Sequence, residues 1–151
     1  MTVDVPLAER RRWMAVLARA EAAELDALLG ACPKLPPYHI LRGPETGLVM
    51  VRGRTGGGGA AFNIGETTVT RCTVRLADGT IGHAYVAGRD ARRAELAALL
   101  DAALQDAARR PLLDRAVIAP LAARQEAART ITARKAAATR VEFFTMASMR
   151  S

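Results

Sequence analysis

The chain has 151 residues, which supports one domain of ordinary size. Half of the residues are apolar and a quarter are charged, a composition that excludes a disordered chain. The formal net charge is +7, and because Lys34 and Lys135 are the only lysines, 22 − 2 = 20 of the basic residues are arginines. Such an excess favours an anionic ligand or an arginine-rich interface, although a GC-rich coding sequence would produce the same bias.

The sequence gives no indication of a metal or redox site, a signal peptide or a membrane span. Cys32 and Cys72 have neither C-x-x-C spacing nor a histidine cluster beside them, so we expect no metal or redox site. The first residues contain acidic side chains and no apolar core, unlike a signal peptide. No apolar run approaches the roughly 18 residues of a membrane span. We therefore expect a cytoplasmic protein with reduced thiols and no contact with membranes.

The N-terminal part is predicted to be helical. Residues 5–30 read as one helix, with Asp4 as its N-cap and Gly30 as its stop signal. Three prolines within residues 32–37 then predict a linker.

Residues 38–87 are predicted to form a small antiparallel sheet. Residues 38–42 and 47–52 read as two short strands separated by a turn. The clearest strand is 67–76, where apolar residues alternate with arginines and predict one apolar face. Asp78-Gly79 predicts a type I′ turn, after which residues 80–87 return as the partner strand.

Residues 90–139 are predicted to form two helices. Asp90 can cap a helix over residues 91–108, which Pro111 ends. Residues 115–119 read as an apolar connector, and a third helix of the chain runs from Pro120 to about Thr139. An extended apolar tail, 141–146, follows. The fold class is therefore α+β, within a single domain spanning 1–151, with an N-terminal helix and two C-terminal helices around the sheet.

Few residues suggest catalysis. His39 and His83 read as half-buried strand residues rather than as general bases, and Cys72 reads as a core residue. The glycines at 56–59 read as a flexible connector or as an anion-binding nest. The polar clusters 45–47 and 88–90 read as turn and cap chemistry. We identify no catalytic residue and no metal ligand.

Two sets of binding candidates remain. Arginines on the sheet and in its loops are candidates for phosphate contact: Arg54, Arg71, Arg75 and Arg89. Apolar residues near the C-terminus would be an aggregation liability in water and are candidates for a partner interface: Ile131, Phe143, Phe144 and Met146.

The order of motifs along the chain resembles the PhnG family, the G subunits of the bacterial carbon–phosphorus lyase core complex. The matching strings are Arg12-Trp13-Met14, Glu45-Thr46-Gly47-Leu48-Val49, Thr70-Arg71, Asp78-Gly79-Thr80, Gly88-Arg89-Asp90 and Phe143-Phe144-Thr145-Met146. The last of these is the most specific. The run of four glycines and His83 depart from the family pattern.

The resemblance implies a role in phosphonate breakdown. Family members act with the H, I, J and L proteins and associate most closely with the I subunit. With the H, I and L proteins they support ribose 1-methylphosphonate 5-triphosphate synthase activity, in which an alkylphosphonate displaces adenine from MgATP, and the J subunit later breaks the carbon–phosphorus bond. The resemblance implies that MgATP is a substrate of the complex, that this chain alone binds no cofactor, and that catalytic groups lie on the partners.

Two alternatives stay open. The charge is also compatible with a nucleic-acid-binding or general scaffold module, although no aromatic residues are interleaved with Arg71 and Arg75 for base stacking. The other alternative is a small self-contained enzyme that acts on an anionic substrate.

Overall fold

The computed structural model describes residues 5–55 and 58–141. A three-stranded antiparallel sheet in the order β1-β2-β3 is covered on one face by helices, which confirms the predicted α+β class. The elements in chain order are α1 (Leu7–Leu17), α2 (Ala22–Gly30), β1 (Tyr38–Gly53), β2 (Phe62–Leu76), β3 (Ile81–Ala87), α3 (Ala91–Leu104), α4 (Arg110–Leu113), a π-helical segment (Asp114–Ile118) and α5 (Ala119–Ala138).

The single helix predicted over residues 5–30 is wrong, because α1 and α2 are separate. The backbone tightens after α1, where Ala20 N donates to Leu17 O at 3.3 Å. The second helix, α2, then begins after its N-cap residue Glu21. The N–H of Glu21 donates to the Glu24 carboxylate at 3.2 Å, as in a capping box. The break lets Trp13 and Leu25 both enter the core. The predicted cap Asp4 lies outside the described residues.

The two short strands predicted over 38–52 are one strand, β1. The expected turn at 43–46 is instead an irregularity in the pairing with β2, where the register shifts twice between Ile40 and Glu45. Gly43 makes this possible with its positive φ of 75°, and a Cβ there would lie 2.5 Å from Arg71 O. β1 therefore continues through the glycine and proline without reversing.

The alternation predicted in β2 is confirmed. Cys72, Val74 and Leu76 are buried beneath the helices, whereas Arg75 is exposed on the other face. Burial raises the pKa of the Cys72 thiol, which fits the predicted core residue.

The hairpin between β2 and β3 is also confirmed, but its turn type is not I′. Asp78 has no positive φ, and only Gly79 does, at 91°. Gly79 N donates to Leu76 O at 3.0 Å, and Leu76 N donates to Thr80 O at 2.9 Å. This is a three-residue loop with a left-handed glycine at its end.

Helix α3 packs across the sheet and forms the centre of the core. The predicted cap is present, since the Asp90 carboxylate accepts from Arg93 N at 2.9 Å. The helix ends at Leu104, four residues earlier than predicted. Its approach to β3 is close: a Cβ on Gly82 would meet Ala98 O and would lie 2.6 Å from Ala102 N.

The connector predicted at 115–119 is wrong, because the chain is helical there. Pro111 lies in the first turn of α4, and the π-helical segment buries Val117 and Ile118 completely. Burial of these two side chains explains why the chain stays helical across the segment. Helix α5 confirms the predicted third helix to within a residue.

The C-terminal tail prediction lies outside the described residues beyond Val141. Within the described ranges, none of the helices combines the length and the hydropathy that crossing a membrane requires.

Candidate functional site

The sheet face that the helices leave uncovered, here called the open sheet face, is polar and basic. It is defined by alternate residues of β2 and their cross-strand neighbours, because residues paired across antiparallel strands share a face. Arg75 lies between His39 and Ile81, Thr73 lies between Arg42 and His83, and Arg71 lies between Glu45 and Tyr85.

A carboxylate holds two arginines together on this face. Glu45 Oε1 accepts from Arg42 Nε at 2.6 Å and from Arg71 Nε at 2.5 Å. The bond to Arg42, more than that to Arg71, lowers the pKa of Glu45, so the bridging carboxylate stays ionised. Arg71 Nη1 also donates to the Tyr85 hydroxyl at 3.4 Å, and these contacts with Tyr85 and Glu45 raise the pKa of Arg71. The cluster therefore carries one net positive charge.

A depression of about 220 Å³ lies beside this cluster. Arg71, Tyr85 and Glu45 line one end, and Val49 and Val69 line the other. Its wall is therefore cationic at one end and apolar at the other, which suits a ligand with one anionic and one apolar part.

The floor of the depression includes Gly47. A Cβ added there would meet nothing within 4 Å, and the backbone φ of Gly47 is not positive. A side chain at this position could therefore occupy the depression without straining the backbone.

The two histidines are exposed, not half-buried as predicted. Their side chains lie on the open sheet face, on the opposite side of the sheet from the helices. The His83 ring makes its hydrogen bond with Thr73, Nδ1 to Oγ1 at 3.1 Å. Within residues 5–55 and 58–141 neither ring bonds a carboxylate, and His, Cys, Asp and Glu side chains form no group of three suited to a metal ion. No catalytic triad is assembled there.

The four predicted phosphate contacts do not converge. Arg71 and Arg75 share the open sheet face, four residues apart. Arg54 is exposed beyond the end of β1, nine residues from Glu45, or about 30 Å along an extended strand. Arg89 is exposed in the turn between β3 and α3. One small anion can therefore contact Arg71 but not Arg54 as well.

Sequence reasoning missed most of the cluster around Arg71. Residues 45–47 were predicted as turn chemistry, which is wrong because they lie within β1. Thr46 and the Gly88 carbonyl are both bonded to Thr70, at 3.1 and 2.7 Å, so the two predicted polar clusters flank one buried threonine. Tyr85 and Glu45 could have been predicted as neighbours of Arg71 only from the strand register, which is set by the turns.

A second surface, here called the apolar ribbon, is the part of the β1–β2 pair that extends beyond β3. The pairing of β2 with β3 ends at Val69, whereas its pairing with β1 continues to Gly53. Both faces of the ribbon carry exposed large apolar side chains: Leu48, Val49, Met50, Val51, Phe62 and Ile64. An isolated two-stranded ribbon is marginally stable in water, and an exposed apolar patch of this kind marks an interaction site.

Helix α5 also extends away from the core. Leu121 is its buried residue, and every residue from Glu126 to Ala138 is exposed. Before this exposed part, Gln125 Nε2 donates a hydrogen bond to Val16 O of α1 at 2.9 Å. Ile131, a predicted interface residue, is 54% exposed on this projecting part.

These features define the class of the protein: an α+β fold with a basic open sheet face and an uncovered apolar ribbon. The family model described as phosphonate metabolism protein PhnG matches residues 8–149. A relative from Rhizobium meliloti (strain 1021), named alpha-D-ribose 1-methylphosphonate 5-triphosphate synthase subunit PhnG, is 50% identical over 143 residues. The alignment covers 95% of this chain and 91% of that protein. The chain belongs to the PhnG family, and the expected resemblance is confirmed.

Proposed function

We propose that this chain is an accessory subunit of ribose 1-methylphosphonate 5-triphosphate synthase, in which an alkylphosphonate displaces adenine from MgATP. The name of the 50% identical relative supports this activity. The accessory role is supported by the exposed histidines, which have no carboxylate partner in the described residues. The general acid that the departing adenine requires would then come from partner subunits.

The observation that carries the proposal is the apolar ribbon. Leu48 is 62% exposed and Ile64 is 63% exposed, on the part of the β1–β2 pair that extends beyond β3. Covering a large apolar side chain contributes about 1.5–3 kcal/mol when burial is complete. A partner that covers Leu48 and Ile64 would therefore gain substantially from binding.

The partners we propose are the H, I, J and L proteins, with the I subunit in direct contact. Ile131 on α5 would extend the interface. The predicted anchors Phe143, Phe144 and Met146 lie outside the described residues and stay a prediction.

The test is co-purification with the I subunit after co-expression. Leu48→Glu places a charge on the ribbon, whereas Leu7→Glu places the same charge on α1 at a leucine of similar exposure, 64% against 62%. We expect Leu48→Glu to lose the I subunit and Leu7→Glu to keep it. Equal retention by both variants would refute the ribbon interface.

The C-terminal anchors are tested separately. Removing residues 141–151 leaves every element of the described fold in place. Loss of co-purification would support the tail as an anchor, and unchanged co-purification would remove it from the interface.

A further inference from the structure

We propose that the depression on the open sheet face binds an alkyl-substituted oxyanion of the phosphonate class, with the PO₃ group at Arg71 and the alkyl group at Val49 and Val69. This inference rests on the proposed function, because it assigns to this chain a contact with the phosphonate substrate. Inorganic phosphate shares the anionic part of that chemistry and lacks the apolar part.

The cationic end of the depression has hydrogen-bond donors left to offer to an anion. Arg71 uses Nε for Glu45 and Nη1 for Tyr85, and within the described residues its Nη2 makes no hydrogen bond. Arg42 uses Nε for the same carboxylate, and its two Nη groups make none there. A guanidinium held through Nε is preorganised to present its remaining N–H groups to an oxyanion.

The charge at this end suits a single oxyanion. Glu45 neutralises one of the two arginines, and no other acidic residue lines the depression. On the open sheet face the neighbouring ionisable groups are His39, His83 and Arg75. The local field is therefore positive, and it attracts anions.

The other end of the depression is apolar and small. Val49 and Val69 face the cluster across Gly47, and the ring of Tyr85, which is 56% exposed, forms the side wall. A volume of about 220 Å³ holds a phosphonate with a short alkyl group, whereas a whole nucleoside triphosphate needs a pocket at the larger end of the usual range of roughly 300–1,000 Å³.

The experiment measures binding of methylphosphonate, ethylphosphonate and inorganic phosphate to the full chain by isothermal titration calorimetry. Two variants act on the site: Arg71→Gln removes the cation, and Gly47→Leu fills the depression from a position with open space. Arg92→Gln is the matched control, because Arg92 pairs with Asp26 on the helical side. Thermal unfolding confirms that each variant is folded.

We expect saturable binding to the unaltered chain, and affinity lower by about tenfold or more in Arg71→Gln. Gly47→Leu should abolish binding, and Arg92→Gln should leave it unchanged. Ethylphosphonate should bind about threefold to fourfold more tightly than methylphosphonate, since one more methylene is buried. Inorganic phosphate should bind most weakly.

Three results would overturn the proposal: no saturable binding of either phosphonate, equal loss in Arg92→Gln and Arg71→Gln, or equal affinity for phosphate and both phosphonates. None of them bears on assembly with the I subunit, because co-purification tests assembly without any phosphonate. Conversely, if the chain binds alkylphosphonates but joins no complex, the proposed binding site is supported and the proposed function is refuted.

Discussion

At the residue scale, the most constrained side chain is the carboxylate of Asp101, which is fully buried in α3. It accepts two hydrogen bonds from Arg10, at 3.1 and 2.7 Å, one from Trp13 Nε1 at 2.9 Å and one from His83 N at 2.9 Å. The carboxylate thus joins α1, α3 and β3. A buried charge is tolerated only when it is paired and hydrogen-bonded to this degree.

Asp101→Asn should therefore destabilise the chain strongly. The amide cannot balance the Arg10 charge or accept all four hydrogen bonds, so we expect a loss of about 3–5 kcal/mol in the free energy of unfolding in urea. Asp114→Asn is the matched control, because Asp114 pairs with Arg12 in a more exposed position. It should cost less than about 1 kcal/mol. Equal losses would contradict the assigned role of Asp101.

Gly82→Ala tests the close approach of α3 to β3. The added Cβ would collide with backbone atoms of Ala98 and Ala102, so the helix must move, and we expect a loss of about 2 kcal/mol or more. Gly65→Ala adds the same methyl group to β2 where nothing lies within 4 Å. It should change stability by less than about 0.5 kcal/mol. Thermal unfolding of both variants makes the comparison, and equal melting temperatures would refute the packing.

Tyr38 gives a pH prediction. Burial, and after it the hydrogen bond to Glu95, raises the pKa of Tyr38 to about 12. The unfolded value is about 10, so the stability that Tyr38 contributes is complete below pH 10 and is lost as the pH rises towards 12. Tyrosinate absorbance of the chain minus that of Tyr38→Phe should have its midpoint near pH 12. A midpoint near pH 10 would contradict the contact.

At the element scale, the predicted pairing of β2 with β3 was wrong by one residue because the turn type was wrong. A two-residue type I′ turn at Asp78-Gly79 would pair Ala77 with Thr80, and hence Arg71 with Val86. The three-residue loop shifts the register by one and pairs Arg71 with Tyr85. The alternating pattern predicted the strands and their buried faces. It could not predict the neighbours of Arg71, because the turn type depends on the φ angle of Asp78. An Asp-Gly sequence is compatible with either sign of that angle.

Local signals also failed where tertiary packing overrides them. Gly43-Pro44 reads as a turn, yet pairing of β1 with β2 on both sides of it keeps the chain extended. Residues 115–119 carry no strong helix signal, yet the core buries Val117 and Ile118 in helical geometry. Capping by Asp90 was predictable because it needs only one side chain and the next turn of backbone.

The ribbon should be the least protected part of the sheet in the isolated chain. Its side chains at Val49–Val51 are exposed, whereas Cys72 and Val74 are buried beneath α3. We expect amide hydrogen exchange at Val49–Val51 to be about tenfold or more faster than at Cys72–Val74. Binding of the I subunit should protect the ribbon and leave Cys72–Val74 unchanged. Equal protection of both segments in the isolated chain would contradict this prediction.

At the scale of the whole molecule, the arginines form ion pairs, and on the open sheet face we propose that they also bind an anion. Every ion pair within the described residues includes an arginine, and Arg10 serves the core through Asp101. Charge alone therefore does not imply an anionic ligand. The open sheet face is different, because within the described residues Arg71 and Arg42 have N–H groups without a hydrogen bond, and an amphipathic depression lies beside them. Composition favours an anionic ligand, but only the register of three strands could place Glu45, Arg42 and Tyr85 around Arg71.

The most direct test of the account is adenine release from MgATP and methylphosphonate. The chain alone should release none, because catalysis is assigned to its partners. The H, I and L proteins should release adenine when this chain is added, and should lose that activity when the chain carries Leu48→Glu. Adenine release by the chain alone, or full activity of the partners without it, would contradict an accessory subunit that acts by docking through its apolar ribbon.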